Sequence, residues 1–255
     1  LKKIYKNLKT VLTPTTGINH IDIDFLKKNK IKLVYLKPHK SLLNKINSTA
    51  ELALTLMLSL LKNLNLAQKN AKNSLWKKED FTSQQVSDLK VGVIGLGRLG
   101  LKFSKYCNSL SMKVYGYDIN KIKHQKYINK VKDMKYIFVN CDIISIHVNF
   151  NKYNKKLISK KYLKLMKKNS IIINTSRGEL IDENFLYYLL KKKKIGGAGL
   201  DVLSNENKSE KQLKKDKLIL LSKKNQNLIV TPHIGGYTYQ AIHLTRSFIV
   251  SEFLK

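Results

Sequence analysis

The sequence predicts an α/β fold, a doubly wound parallel sheet with helices on both faces, preceded by a smaller, partial α/β unit. Three observations carry this expectation. From about Val91 onward, short apolar runs alternate with helix-like runs. The short runs are apolar at nearly every position, as strands buried on both faces are. The chain has 255 residues, enough for one large domain or two smaller ones with a real core.

The expected strands are residues 91–95, 113–118, 142–148, 170–176, 197–202 and 227–233, each β-branched or apolar and bounded by polar residues or glycine. Helices are expected between them at 99–110, 160–166 and 183–192. Upstream, residues 48–73 read as one long amphipathic helix whose apolar face is wide enough to pack on another helix or another subunit. Residues 1–45 offer two strands, 10–14 and 32–36, with a short helix at 24–29 between them, and residues 37–47 read as a loop. The expected domains are therefore a partial α/β domain at 1–45, a larger parallel-sheet domain at 46–236 and a C-terminal helix at 237–255 that returns to the first. That first unit reads as incomplete at its N-terminus.

Composition narrows the function. The net charge is +32, which ordinarily points to nucleic acid or an anionic surface. Only Arg98, Arg177 and Arg246 are arginines; the other basic residues are lysines scattered among Asn and Ile. Nucleic-acid readers favour Arg, whose planar fork matches phosphates and guanine edges. The charge therefore reads as a solvated lysine surface, with no specific nucleic-acid partner. No apolar run reaches membrane-spanning length, and no membrane partner is expected. Cys107 and Cys141 both sit in apolar segments and read as reduced thiols, which fits a cytoplasmic protein.

The sharpest motif is Val91-Gly92-Val93-Ile94-Gly95-Leu96-Gly97-Arg98-Leu99-Gly100, a strand running through G-x-G-x-x-G into a helix. Gly95 permits the tight turn, Gly97 admits a pyrophosphate to the backbone, and Gly100 lets helix and strand pack closely, as in Rossmann-type dinucleotide sites. The helix N-terminus then presents free N–H groups to the phosphates. A second strand ends at Asp118, where a carboxylate can bond an adenosine ribose and disfavour the extra phosphate of NADP.

Three later segments each place polar chemistry after a strand end, where open α/β sheets bind ligands. They are Asn174-Thr175-Ser176-Arg177-Gly178, Gly199-Leu200-Asp201-Val202-Leu203-Ser204-Asn205-Glu206 and Thr231-Pro232-His233-Ile234-Gly235-Gly236. A guanidinium can pair with a carboxylate through two hydrogen bonds and polarise a neighbouring carbonyl, which suits Arg177. An imidazole titrates near neutrality and can carry one proton, which suits His233. A carboxylate on its other ring nitrogen would favour the imidazolium, and Glu206 suits that task, with Glu210 as an alternative. His20, His39, His124 and His243 show no metal-ligand spacing, and no metal is expected.

With the glycine turn, these segments resemble the D-isomer-specific 2-hydroxyacid dehydrogenases. Gly17-Ile18-Asn19-His20-Ile21-Asp22 is similar to that family's substrate-domain turn, Ser48-Thr49-Ala50-Glu51 to the start of its interdomain helix, and Ser145-Ile146-His147-Val148 to its post-strand cofactor loop. The resemblance runs from about residue 10 to the end. It implies a Rossmann-type doubly wound NAD domain beside a flavodoxin-like substrate domain, NAD as cofactor, a small 2-hydroxy or 2-oxo acid as substrate, and a homodimer. It also implies site residues. Arg177, Glu206 and His233 are catalytic. Gly95, Gly97, Arg98, Leu99, Gly100, Asp118, Val148, Thr175 and Asp201 hold cofactor, with Asp201 facing the nicotinamide amide. Gly17 and Arg177 bind the substrate carboxylate. Three departures stand out: the family normally has another strand-helix-strand section before the segment that starts here, residues 37–47 are longer than usual, and residues 204–217 lack the usual prolines.

The alternatives are distinct. A non-catalytic NAD sensor or degenerate member of the same fold would bind NADH without turning over any 2-oxo acid. A short-chain dehydrogenase would use Tyr-x-x-x-Lys, which occurs here from Tyr5, Tyr117, Tyr187 and Tyr188. In so lysine-rich a chain about two such pairs arise by chance, so the motif carries little.

Overall fold

The structure, a computed structural model, describes residues 7–18, 20–36 and 38–255. The expectation that residues 17–22 form a turn thus lies partly outside the described residues, at Asn19.

The strands in chain order are β1 (Thr10–Thr13), β2 (Lys32–Tyr35), β3 (Lys90–Ile94), β4 (Lys113–Tyr117), β5 (Asn129–Lys130), β6 (Ile143–Ile146), β7 (Ile171–Asn174), β8 (Gly197–Leu200) and β9 (Leu228–Val230). The helices that open the chain are α1 (Ile23–Lys28), α2 (Lys40–Asn44), α3 (Ser48–Leu61) and α4 (Leu64–Lys72). Those interleaved with the later strands are α5 (Arg98–Ser109), α6 (Met134–Asn140), α7 (Lys160–Leu163), α8 (Glu183–Lys191), α9 (Glu210–Leu213) and α10 (Lys217–Ser222). The chain closes on α11 (Tyr239–Phe253).

The chain divides into two compact units. One holds the described residues up to Ser48 together with Gly236–Lys255; the other is Thr49–Gly235. In the first, β1 and β2 pair in parallel, with Val11 opposite Leu33. Leu36, Leu42, Leu43 and Ile249 form its buried core, with Phe248 packed against them. The stretch 37–47 is not a plain loop: α2 occupies its middle, because Leu42 and Leu43 are adjacent apolar residues that reach this core on one helical turn.

In the second unit all seven strands are parallel, in the order β5-β4-β3-β6-β7-β8-β9. The order reverses between β3 and β6, and that switch point opens a crevice at the strands' C-terminal ends. One buried cluster includes Ile137, Phe138, Ile144, Ile172, Leu186 and Leu190. Another includes Ala53, Met57, Val91, Val93, Phe103 and Ile173. These clusters draw on different helices because the strands present apolar side chains to both faces. Strands β6 and β7 are buried at every position, which is why their sequence lacks alternation.

The long helix expected at 48–73 is two helices. Asn63 takes a left-handed φ of +48°, ends α3 and starts α4, with a bend of 61° at the break. Its residues divide by purpose. Ala50, Ala53, Leu56, Met57 and Leu60 of α3 are buried in the unit's own core, whereas α4 has no buried residue. Strand β5 and helix α6 were not expected either; both are short and carry exposed positions, so neither leaves a clear apolar pattern. No single helix among the described residues is long and apolar enough to cross a membrane.

Candidate active site

The glycine turn links β3 to α5. Gly95 has a φ of +91°, a region L side chains rarely adopt, and a Cβ there would lie 2.6 Å from the His147 carbonyl oxygen. At Gly100 a Cβ would sit 1.9 Å from the Gly95 oxygen, so any side chain would drive the helix off the strand. Gly97 differs: a Cβ there meets nothing within 4 Å, and the backbone faces open space at the helix N-terminus. Arg98 and Leu99 follow on the first turn of α5, both half-buried. Burial holds the Arg98 guanidinium below its ordinary pKa.

Asp118 lies just past β4. Its Oδ2 accepts a hydrogen bond from the Leu96 N–H at 2.7 Å and its Oδ1 accepts from the Asn120 N–H at 2.8 Å. The carboxylate thus braces the glycine turn and keeps lone pairs for a further donor. Behind the turn, His147 is structural. Its Nε2 lies 2.8 Å from Ser145 Oγ, its ring packs near that of Phe103, and burial pushes its pKa down to about 3. Val148 is half-buried beside Gly95.

Across the switch point, β7, β8 and β9 end side by side, and each releases a polar loop. Arg177 follows β7. Its backbone oxygen accepts from Asn174 Nδ2 at 2.9 Å, and its guanidinium donates to the Ser176 oxygen at 2.6 Å. Asp201 follows β8 and is 1% exposed. It is the organiser of the last loop. Its Oδ1 accepts from Thr231 Oγ1 at 2.6 Å and the Ile234 N–H at 2.8 Å, and its Oδ2 accepts from the Gly235 N–H at 2.8 Å. Its backbone oxygen accepts from the His233 N–H at 2.8 Å. These bonds hold His233 at a φ of +56°, a conformation that costs about 1–3 kcal/mol in a non-glycine residue.

His233 Nδ1 donates to Glu206 Oε1 at 2.8 Å, and Glu206 Oε2 accepts from the Leu203 N–H at 3.3 Å. Glu206 is therefore the carboxylate at the imidazole, while Glu210 begins α9. The Glu206 bond raises the His233 pKa; burial opposes it, the Glu206 charge adds to it, Arg177 lowers it and Asp201 raises it. Burial pushes Glu206 upward, but the His233 bond and charge, the Leu203 N–H and Arg177 together bring it below its ordinary value. Arg177 thus acts electrostatically on both members of the pair. The His233 side chain is 43% exposed and can meet a solute.

Arg177, Asp201, Glu206 and His233 all belong to the Thr49–Gly235 unit, as do the glycine turn, Asp118, Val148 and Thr175. Gly17 belongs to the other unit, in the segment between β1 and α1, where its oxygen accepts from Thr15 Oγ1 at 2.8 Å. Thr231 is a residue that no local pattern singles out, since its partner Asp201 stands 30 positions upstream.

The site fits a dinucleotide on its own geometry. Open space lies above Gly97, no side chain caps the N-terminus of α5 beside it, and Thr175 Oγ1 is buried with no hydrogen-bond partner among the described residues.

Comparison with known proteins bears on the same residues. Residues 54–235 match the family described as D-isomer specific 2-hydroxyacid dehydrogenase, NAD binding domain. A D-3-phosphoglycerate dehydrogenase from Archaeoglobus fulgidus is 32% identical over 249 residues, 97% of this chain and 45% of that one. The chain thus spans less than half the length of that relative. An aromatic 2-oxoacid reductase from Clostridium sporogenes is 32% identical over 92% of this chain and 71% of its own. A D-lactate dehydrogenase from Aquifex aeolicus, solved with NAD and lactic acid, aligns with a TM-score of 0.83 and 28% identity over 98% of this chain and 77% of that chain. The chain belongs to the D-isomer-specific 2-hydroxyacid dehydrogenases, and residues 54–235 are its NAD-binding domain.

Proposed function

We propose that this protein moves a hydride between NAD(H) and a small 2-hydroxy or 2-oxo acid. The observation that carries the proposal is the Glu206–His233 pair at 2.8 Å with Arg177 acting on both, set at adjoining strand ends in the unit that holds the glycine turn.

Arg177 pairs with the substrate carboxylate and polarises the C2 carbonyl. His233, as imidazolium, gives its Nε2 proton to the C2 oxygen in reduction and takes it back in oxidation. Glu206 holds the ring by Nδ1 and stabilises its charge. A bound nicotinamide supplies the hydride chemistry. Gly95, Gly97, Arg98, Leu99 and Gly100 hold its pyrophosphate, Asp118 its adenosine ribose, and Val148 and Thr175 the far end. Asp201 acts first by setting the His233 loop, and a lone pair on its Oδ2 is left for a carboxamide N–H.

The protein acts as a homodimer. The support is the apolar surface of α4 and of the segment after it: Leu64 is 56% exposed, Leu75 53% and Trp76 85%. Cytoplasmic location fits Cys107 and Cys141, buried free thiols whose pKa values burial raises to about 12.

The test is a panel of 2-oxo acids with NADH, following NADH oxidation and, separately, NADH binding. Turnover of at least one 2-oxo acid is expected, with loss on Arg177→Ala at unchanged NADH affinity. Tight NADH binding with no turnover of any of them would favour a sensor instead.

A further inference from the structure

Three consecutive residues in the loop after β8 send their side chains to three different elements. Glu206 bonds His233. Asn205 Nδ2 donates to Asp216 Oδ2 at 2.8 Å, the carboxylate that also caps α10 through the Leu218 and Ile219 N–H groups. Ser204 bonds Glu183, the first residue of α8, twice: its N–H donates to Oε1 at 2.8 Å and its Oγ–H donates to Oε2 at 2.5 Å. A glutamate at a helix start ordinarily serves its own helix N-terminus. Here Asp182 does that, through the Phe185 N–H, and Glu183 reaches across to the loop instead.

The grip matters because the neighbouring N–H, that of Leu203, is the one that donates to Glu206 Oε2. The loop also lies directly on the Arg177 loop. A Cβ on Gly178 would fall 2.1 Å from the Ser204 nitrogen and 2.2 Å from the Leu203 carbonyl carbon. No side chain separates the two backbones, so a shift of the loop moves Glu206 relative to both His233 and Arg177.

We infer that Glu183 is a positioning residue, clamping the loop at Ser204 so that the Glu206 carboxylate stays on His233. This rests on the proposed roles of Glu206 and His233. The charged groups involved are all near. Glu206, Arg177 and Asp201 act on His233; burial raises the Glu183 pKa, the two Ser204 bonds oppose that, and Asp216 and Glu179 add to it.

The test is the titration of the His233 imidazole by NMR in the free protein, with kcat and KM for 2-oxo acid reduction against pH. Glu206→Gln sets the reference, an imidazole that has lost the neighbouring negative charge and titrates lower. Glu183→Ala is expected to move the His233 titration in the same direction, part of the way. Its kcat is expected to fall roughly 10- to 100-fold, the scale of a small misplacement, at unchanged NADH affinity. Glu183→Gln keeps an acceptor for the Ser204 N–H and is expected to recover much of both. Ser204→Ala loses only the hydroxyl bond and is expected to shift less. A folded Glu183→Ala variant with the wild-type His233 titration overturns the inference. Should that variant not fold, an unmoved His233 titration in Ser204→Ala overturns it. If Glu206→Gln itself leaves His233 unmoved, the Glu206–His233 reading fails, which is a different result.

Discussion

The two halves of the crevice in the NAD-binding domain are built by different means. On the β3–β4 side the features are backbone features. They are a left-handed glycine, a helix packed onto a strand at Gly100, and an open approach at Gly97, with the Asp118 carboxylate bracing the turn. On the β7–β9 side the features are side chains from three separate loops, held by bonds that cross between them. Gly95 and Gly100 leave no room for an added atom, whereas side-chain sites accept substitution without a clash. The two halves should therefore fail differently when altered.

The largest effect is expected at Gly100→Ala. A methyl 1.9 Å from the Gly95 oxygen must displace α5, and overpacking of this kind costs roughly 1–3 kcal/mol or more. NADH binding should be lost together with a fall in Tm, measured by fluorescence and thermal unfolding. Retained NADH affinity would mean the turn does not hold the cofactor.

Arg177→Ala is the contrasting case. Two charge-assisted hydrogen bonds, at about 1.5–3 kcal/mol each, correspond to roughly 10²- to 10⁴-fold in kcat/KM for 2-oxo acid reduction. Stability and NADH affinity should hardly change, since Arg177 is a half-buried loop residue. A parallel loss of NADH binding would erase the distinction between the halves.

That distinction also explains which features were legible in the sequence. The glycine turn was legible because its demands fall on neighbouring residues: a strand, three glycines and a helix in one stretch. Strands β3 (from Val91 on), β6, β7 and β8 were legible because burial on both faces leaves continuous runs without charge, whereas β4 alternates between buried and partly exposed positions and was legible from its Val and Tyr residues. The β7–β9 half was legible only as isolated residues after strand ends, ordered by the family resemblance. Nothing local says that Thr231 bonds Asp201, that Glu183 grips Ser204, or that Glu206 and not Glu210 meets His233. The break at Asn63 was hidden for a related reason. An asparagine in a left-handed conformation resembles any polar residue on a helix, and apolar residues continue on both sides.

A smaller effect is expected at Asp118. Asp118→Ala removes the carboxylate proposed to bond the ribose, and the preference for NADH over NADPH should relax about tenfold, the equivalent of one good hydrogen bond. The same change frees the Leu96 N–H, so NADH affinity should fall modestly as well. Comparing Kd values for the two cofactors checks this, and an unaltered ratio would remove Asp118 from the ribose.

The finest effect is a shift in pH dependence rather than a loss. In the proposed mechanism reduction uses the imidazolium form of His233, so kcat/KM for the 2-oxo acid should fall as pH rises through the His233 pKa, which the Glu206 bond raises above its ordinary value of 6.5. Oxidation needs the neutral ring and should rise over the same range. Glu206→Gln keeps an acceptor for Nδ1 but removes the charge, so both limbs should move to lower pH while NADH affinity holds. Stability should follow the same pair. Because the His233 pKa is raised in the fold, its contribution is full below the unfolded value and is lost as pH rises through the folded one. Because the Glu206 pKa is lowered, its contribution is present above the unfolded value and is lost as pH falls through the folded one. The wild type should thus gain most over Glu206→Gln between the ordinary values of the two groups, 4.5 and 6.5, with the gap in Tm narrowing on either side. A gap that fails to narrow below 4.5 and above 6.5 would mean the carboxylate holds the loop by shape alone, and the β7–β9 half would then be as much a backbone construction as the glycine turn.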